Sequence, residues 1–274
     1  MATPRWLSSF GLSEPPFSKD IAADDLWMPS SKEALVDQLT DTVHERQHVL
    51  LVGEPGGGKT CTLRALRSRL PEAGFRLTYC HNATLGRRDF YRQLCLALGL
   101  SPRATAAAVF HTISTHVEQL GRESIHPVLL LDEAHLLRQD VLEHLHVLAN
   151  YAWDQKPLLS LILVGLPELW DHLALRKNRS LWSRIHHRLS IPPPDLGDTN
   201  EYVDYRIRRA GATSMPFTSD ALTTLHEATA GQLRDIDRVA TKALRAAARR
   251  KLAKVDVALL SRVLETDQRA EIRP

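Results

Sequence analysis

GEPGGGKT, residues 53–60, directly follows the apolar run HVLLV, residues 48–52, and directly precedes CTLRALRSRL, residues 61–70. An apolar run, a glycine-rich turn closing on Lys-Thr and a helical pattern together read as a strand handing the chain to a helix around an anion. Gly53, Gly58, Lys59 and Thr60 satisfy G-x-x-x-x-G-K-[ST]. Phosphates need this arrangement because glycines let main-chain N–H groups close on them while the new helix presents its positive end. Lys59 supplies a point charge toward the β and γ phosphates, and the Thr60 hydroxyl can ligate Mg²⁺. Pro55 stiffens the turn. The expected nucleotide contacts are Gly53, Glu54, Pro55, Gly56, Gly57, Gly58, Lys59, Thr60 and Cys61.

A chain of 274 residues has room for one large α/β domain and a smaller satellite. Its 43% hydrophobic and 24% charged residues, without a low-complexity tract, are those of a globular protein. Apolar stretches such as Val128–Leu131 are far too short to span a bilayer. The opening MATPRWLSSFGLSEPPF lacks the apolar core of a signal peptide. The expected location is therefore cytoplasmic, without a membrane partner. Cys61, Cys80 and Cys95 form no CxxC pair and read as buried thiols. A net charge of +3 permits nucleic acid without requiring it.

Pro15 and Pro16 favour an extended N-terminal segment, residues 1–30. Ser30 with Glu33 suggests a capping box opening a helix that runs to about Gln47. Strand-like runs at 48–53, 75–80, 127–132 and 158–164 alternate with helical patterns, which predicts a parallel sheet built from βαβ units. Pro192, Pro193 and Pro194 interrupt the pattern. Beyond them 199–210, 219–228, 232–250 and 255–266 read as helices, with Ser219 as an N-cap and Gly231 as a break. The expected fold class is α/β: a P-loop core over residues 31–194, its parallel sheet flanked by helices, then a small all-helical lid over 195–274.

VLLLDEAH, residues 128–135, is a buried strand ending in two carboxylates. Asp132 at the strand tip suits the Mg²⁺ shell. Glu133, one residue on, points differently and suits a general base that polarises water. Together with the phosphate loop this pair predicts hydrolysis of ATP, not binding alone.

With GEPGGGKT, LLLDEAH and a helical C-terminal region, the chain resembles AAA+ ATPases. FGLSEPPF, LILVGLPEL, SRIHHRLSIPPPDL, YRIRRAG and GQLRDIDRVATKAL are similar, in that order, to the ExeA-type group over roughly residues 10–265. That group holds secretion proteins and also stand-alone ATPases of mobile elements that resemble the transposition regulators TnsC and MuB. The resemblance implies that Arg234 senses the γ-phosphate from the lid. It also implies a trans-acting arginine from a neighbouring subunit, either Arg184 or Arg188, and a ring or helical homo-oligomer. Arginine suits both tasks because it stays charged and offers a planar fork to phosphate oxygens.

Two departures matter, and one further residue has two readings. Leu166 stands where the family often has a polar residue after the fourth strand, so the usual polar sensor is missing and slow turnover, or another group in its place, is expected. Leu233 replaces a proline beside the lid arginine. Asn82 either restrains Glu133 or serves a turn, and the turn is the reading adopted.

Arg87, Arg88 and Arg92 form one basic cluster, and in similar transposition ATPases this segment faces a DNA channel. RKNRSLWSR, with Arg176, Lys177 and Arg179, is a second; KALRAAARRKLAK is a third. Phe90 and Tyr91 read as helix core, and the thirteen histidines lack metal-site spacing. The leading expectation is a regulator of DNA transposition that assembles on duplex DNA with ATP and recruits a transposase. It is favoured because no cell-wall-binding module follows the lid. The alternative is an accessory ATPase of secretion or envelope assembly with protein partners only. A nucleotide-binding scaffold with negligible turnover is a third reading.

Overall fold

The computed structural model describes residues 4–81, 84–102, 105–151 and 156–271. In chain order the elements are α1 (Arg5–Ser8), α2 (Ser30–His44), β1 (His48–Val52), α3 (Lys59–Arg69), β2 (Phe75–Cys80), α4 (Arg87–Ala97), α5 (Ala106–Arg122) and β3 (His126–Leu131). Then come α6 (Gln139–Leu148), β4 (Ser160–Gly165), α7 (Glu168–Ala174), α8 (Arg179–Trp182) and β5 (Ile185–Ser190). The chain closes with α9 (Leu196–Arg209), α10 (Ser219–Thr229), α11 (Leu233–Arg249) and α12 (Val257–Glu271).

The strands form one parallel sheet in the order β2-β3-β4-β1-β5. Its three central strands are buried along their whole length, as expected of strands covered on both faces. Alternation sorts their side chains into two cores. Leu50, Val52, Leu129, Leu131, Leu161 and Leu163 face one core with residues of α4, α5 and α6. Val49, Leu51, Val128, Leu130, Ile162 and Val164 face the other with α2 and α3. Each such side chain is worth about 1.5–3 kcal/mol of burial. An all-apolar run is therefore the sequence such a strand needs.

Contacts divide the chain into residues 30–54 with 59–191, which hold the sheet, and residues 1–29, 55–58 and 192–274, which hold the terminal helices. The N-terminal segment corrects the extended expectation. It forms α1, and Leu7, Phe10, Phe17 and Trp27 are buried in one cluster with residues of α9, α10, α11 and α12. α1 lies well before Pro15 and Pro16, whose local bias does not reach it, and apolar burial fixes the segment. Arg206 is buried and ties the segment down, its Nε donating to Pro16 O at 2.6 Å and its Nη2 to Ser18 O at 2.6 Å.

Smaller corrections concern caps and ends. Thr218, not Ser219, caps α10, its side chain accepting from Ala221 N. The Glu33 carboxylate, expected to close a capping box, is engaged by Arg69 of α3. Cys61 and Cys80 are only half-buried, whereas Cys95 is buried.

Tyr202 donates to Asp237, and Arg206 donates to the same tyrosine hydroxyl. Burial outweighs these partners and pushes the Asp237 carboxyl from 3.8 up to about 6. A folded state that holds this proton more tightly than the unfolded chain is most favoured at low pH. The contribution is full below about pH 4 and is lost as pH rises through about 6, on the order of 3 kcal/mol at most. Asp237→Asn should therefore flatten the pH dependence of the melting temperature between about pH 4 and 6.5. A variant with the wild-type slope would contradict this assignment.

Candidate nucleotide site

The phosphate loop begins where β1 ends. Val52 is in register with Gly165 of β4, and Gly53 N donates to Gly165 O at 3.1 Å. A Cβ on Gly53 would stand 3.1 Å from Ile191 Cβ, so the strand exit has no room for a side chain. Gly56 and Gly58 hold φ of +78° and +99°, where side chains are disfavoured. With Lys59 opening α3, the positive N-terminal end of that helix begins in the loop itself. Lys59 Nζ donates to Gly53 O at 2.7 Å and to Glu54 O at 3.1 Å, which folds the ammonium back onto the loop. Glu54 and Thr60 are exposed, and Cys61 is half-buried on α3.

Residues 55–58 group with the terminal helices. A Cβ on Gly56 would meet Arg234 Cβ at 3.3 Å and Gln232 Cβ at 3.6 Å, so glycine is needed there for closeness as well as for φ. Arg234, the second residue of α11, is exposed beside the loop tip.

Asp132 follows β3 and is 8% exposed. Its Oδ1 accepts Glu133 N at 2.9 Å, and its Oδ2 accepts the Tyr79 hydroxyl at 2.7 Å. Burial and the neighbouring carboxylate push the Tyr79 phenol well above its ordinary range, so it remains a donor. Glu133 sits at φ +53°, a left-handed conformation that costs a non-glycine residue about 1 kcal/mol or more. Because β4 lies between β1 and β3, the end of β4 separates the strand that carries the loop from the strand that carries the carboxylates.

Thr60 and Asp132 fit Mg²⁺. Both offer hard oxygens, and each Asp132 oxygen takes one hydrogen bond and keeps a lone pair. The ion prefers few protein ligands, with phosphates and water completing its shell.

Arg184 immediately precedes β5, whose first residue pairs with His48 at the start of β1. The five residues of β1, at about 3.3 Å each, put the phosphate loop roughly 16 Å farther along the sheet. Arg184 Nη1 donates to Ser180 O at 2.9 Å. It lines a hollow of about 220 Å³ that Arg46 and Lys156 also border. Arg188, midway along β5, stacks its guanidinium on Trp182 at 3.8 Å from the ring centroid.

Arg87 and Arg88 are exposed in the first turn of α4, bordering a hollow of about 620 Å³ with Tyr91, Phe110 and His144. Arg92 does not join them. It is half-buried and lies 3.7 Å from Asp89 on its own helix. Phe90 and Tyr91 are buried, as expected of helix core. Asn82 lies outside the described residues.

Sequence reading missed Tyr79 and His135. Tyr79 is polar at the exposed edge strand and shows its role only through the register that places β2 beside β3. His135 stands in plain view inside DEAH, yet its partners are remote in sequence.

A glycine loop on one strand, paired carboxylates on another and an inserted strand between them define a P-loop ATPase. Over residues 29–173 the chain matches the AAA domain family, and it belongs to that family. It is 36% identical over 241 residues to General secretion pathway protein A of Aeromonas hydrophila, covering 87% of this chain. The chain spans 44% of that relative's length. Cdc6p of Pyrobaculum aerophilum superposes with a TM-score of 0.66 at 18% identity, over 88% of this chain and 67% of that one. The ORC1 protein of Aeropyrum pernix, solved in complex with DNA, gives 0.66 at 19% identity, over 94% and 68%. These two are likenesses of fold. The ExeA-type resemblance agrees with the secretion relative, while the likeness to transposition regulators rests on the sequence motifs alone. No helix among the described residues is long and apolar enough to cross a membrane.

Proposed function

We propose that the chain is an ATP- and Mg²⁺-dependent ATPase that works as a homo-oligomer, its hydrolysis coupled to a protein partner in secretion or envelope assembly. The observation that carries the oligomer is Arg184. It stands at the opposite end of the strands from its own phosphate loop, at the start of β5 where the loop follows the end of β1, and so has a role at a nucleotide only across a subunit boundary. In this reading the loop residues 53–61 bind the triphosphate and Lys59 meets its outer phosphates, while the family resemblance gives Arg234 the role of γ-phosphate sensor. Thr60 and Asp132 hold Mg²⁺, which lowers the charge on the phosphates. Glu133 takes the proton of the attacking water. Similarity to General secretion pathway protein A supports the choice of partner.

Transposition is the second reading, reversed in order from the sequence expectation because the named relative belongs to a secretion pathway. Exposed Arg87 and Arg88 favour it, since two neighbouring guanidiniums at a helix start suit a DNA backbone. Electron microscopy with a slowly hydrolysed ATP analogue, with and without duplex DNA, separates the two. The secretion reading predicts particles that form without DNA. Assemblies that require DNA, whose retention falls steeply from about 50 to 200 mM salt and weakens in an Arg87→Ala/Arg88→Ala variant, would overturn it in favour of transposition.

A further inference from the structure

Leu166 follows β4, between the strand carrying the phosphate loop and the strand carrying the carboxylates, and its side chain cannot hydrogen-bond. Its main chain can. Leu166 N donates to His135 Nδ1 at 3.4 Å. An imidazole nitrogen that accepts carries no proton, so in the neutral ring the proton sits on Nε2. That nitrogen faces Glu133, with Nε2 at 3.6 Å from Oε2. At this separation the Nε2–H and the carboxylate are neighbours just outside hydrogen-bond length.

The surroundings hold the ring in this pose. The His135 side chain is 9% exposed, whereas that of Glu133 is 47% exposed and open to water. A Cβ on Gly165 would stand 3.1 Å from His135 N, 3.3 Å from its Nδ1 and 2.8 Å from Leu169 Cδ2. Only a residue without a side chain lets the imidazole lie on the end of β4. The left-handed turn at Glu133 is followed by the buried Ala134 and by His135, whose main-chain N lies against Gly165. His135 thus reaches the Glu133 carboxylate from the β4 end.

We propose that His135 is the positioning residue for the Glu133 carboxylate: anchored by the Leu166 main-chain N–H, its Nε2–H orients the general base from the place where a polar side chain on β4 is missing. His135 acts through Glu133 and does not itself touch the nucleotide. The inference rests on Glu133 being the base.

The test compares His135→Ala, His135→Gln and His135→Asn in steady-state hydrolysis, in nucleotide affinity and in melting temperature. A glutamine amide N–H reaches the position of Nε2, while an asparagine reaches only that of Nδ1. His135→Ala should lower kcat about tenfold or more, with KM and nucleotide affinity held within about threefold. Glutamine should restore most of the rate and asparagine little of it. A nitrogen-15 spectrum of the wild-type protein should show Nδ1 unprotonated and Nε2 protonated, with the Nε2–H resonance moving in Glu133→Gln. An alanine variant with unchanged kcat, equal rescue by the two amides, or a ring protonated on Nδ1 would each overturn the proposal. Failure of the general-base reading is separately visible, because Glu133→Gln would then turn over like wild type whatever His135 does.

Discussion

Glu133→Gln should abolish turnover and leave nucleotide bound. The glutamine keeps the shape of the side chain and the left-handed turn but cannot accept the water proton. A fall in kcat of about 10²–10⁴-fold is expected. Nucleotide affinity should change little, because the phosphate loop, Asp132 and the Tyr79 contact are untouched. Phosphate release measured beside retention of labelled ATP checks both halves. Turnover within about threefold of wild type would remove Glu133 from the role of general base and return the chain to a binding scaffold.

Lys59→Ala should act on binding itself. The ammonium bridges Gly53 O and Glu54 O across the loop and is the one cation the loop sequence provides. Charge-assisted hydrogen bonds are worth about 1.5–3 kcal/mol each, so Kd for ATP should rise about 10–100-fold or more. Titration calorimetry with Mg²⁺ reads this directly. The melting temperature of the nucleotide-free protein should move little, because Lys59 is not part of either apolar core. An unchanged Kd would place the nucleotide elsewhere.

The central strands were legible because they are buried on both faces, and an apolar run such as VLLL admits little else. Three strands have ends one or two residues away from the expected ones, at His48–Val52, His126–Leu131 and Ser160–Gly165. β5 was not foreseen. It is an edge strand, and IHHRLS places His and Arg at its exposed positions, so its alternation carries little apolar signal. The N-terminal segment misled for the opposite reason: its prolines describe local bias, while Leu7 and Phe10 respond to a distant helical cluster.

The site was legible where chemistry is local. Gly53 to Thr60 and Asp132–Glu133 declare themselves by spacing, since an anion cradle and a strand-end carboxylate pair each lie within one short stretch. Tyr79, His135 and the leftover main-chain N–H of Leu166 do not, because sheet register alone brings them together. Arg92 illustrates the limit of reading charge in sequence. Three basic residues looked like one cluster, yet a carboxylate one helical turn away engages the third.

Glu133→Gln and Arg184→Ala, mixed in equal amounts, test most directly whether a neighbour completes each nucleotide site. Each variant alone should be nearly inactive: one has lost its base, and the other supplies no arginine across the boundary. In mixed assemblies an Arg184→Ala protomer keeps its own Lys59 and Glu133 and can receive an intact Arg184 from a Glu133→Gln neighbour. Hydrolysis by the mixture should then rise well above the sum of the two separate rates. A mixture that only matches that sum, or an Arg184→Ala protein as active as wild type, would contradict the shared site.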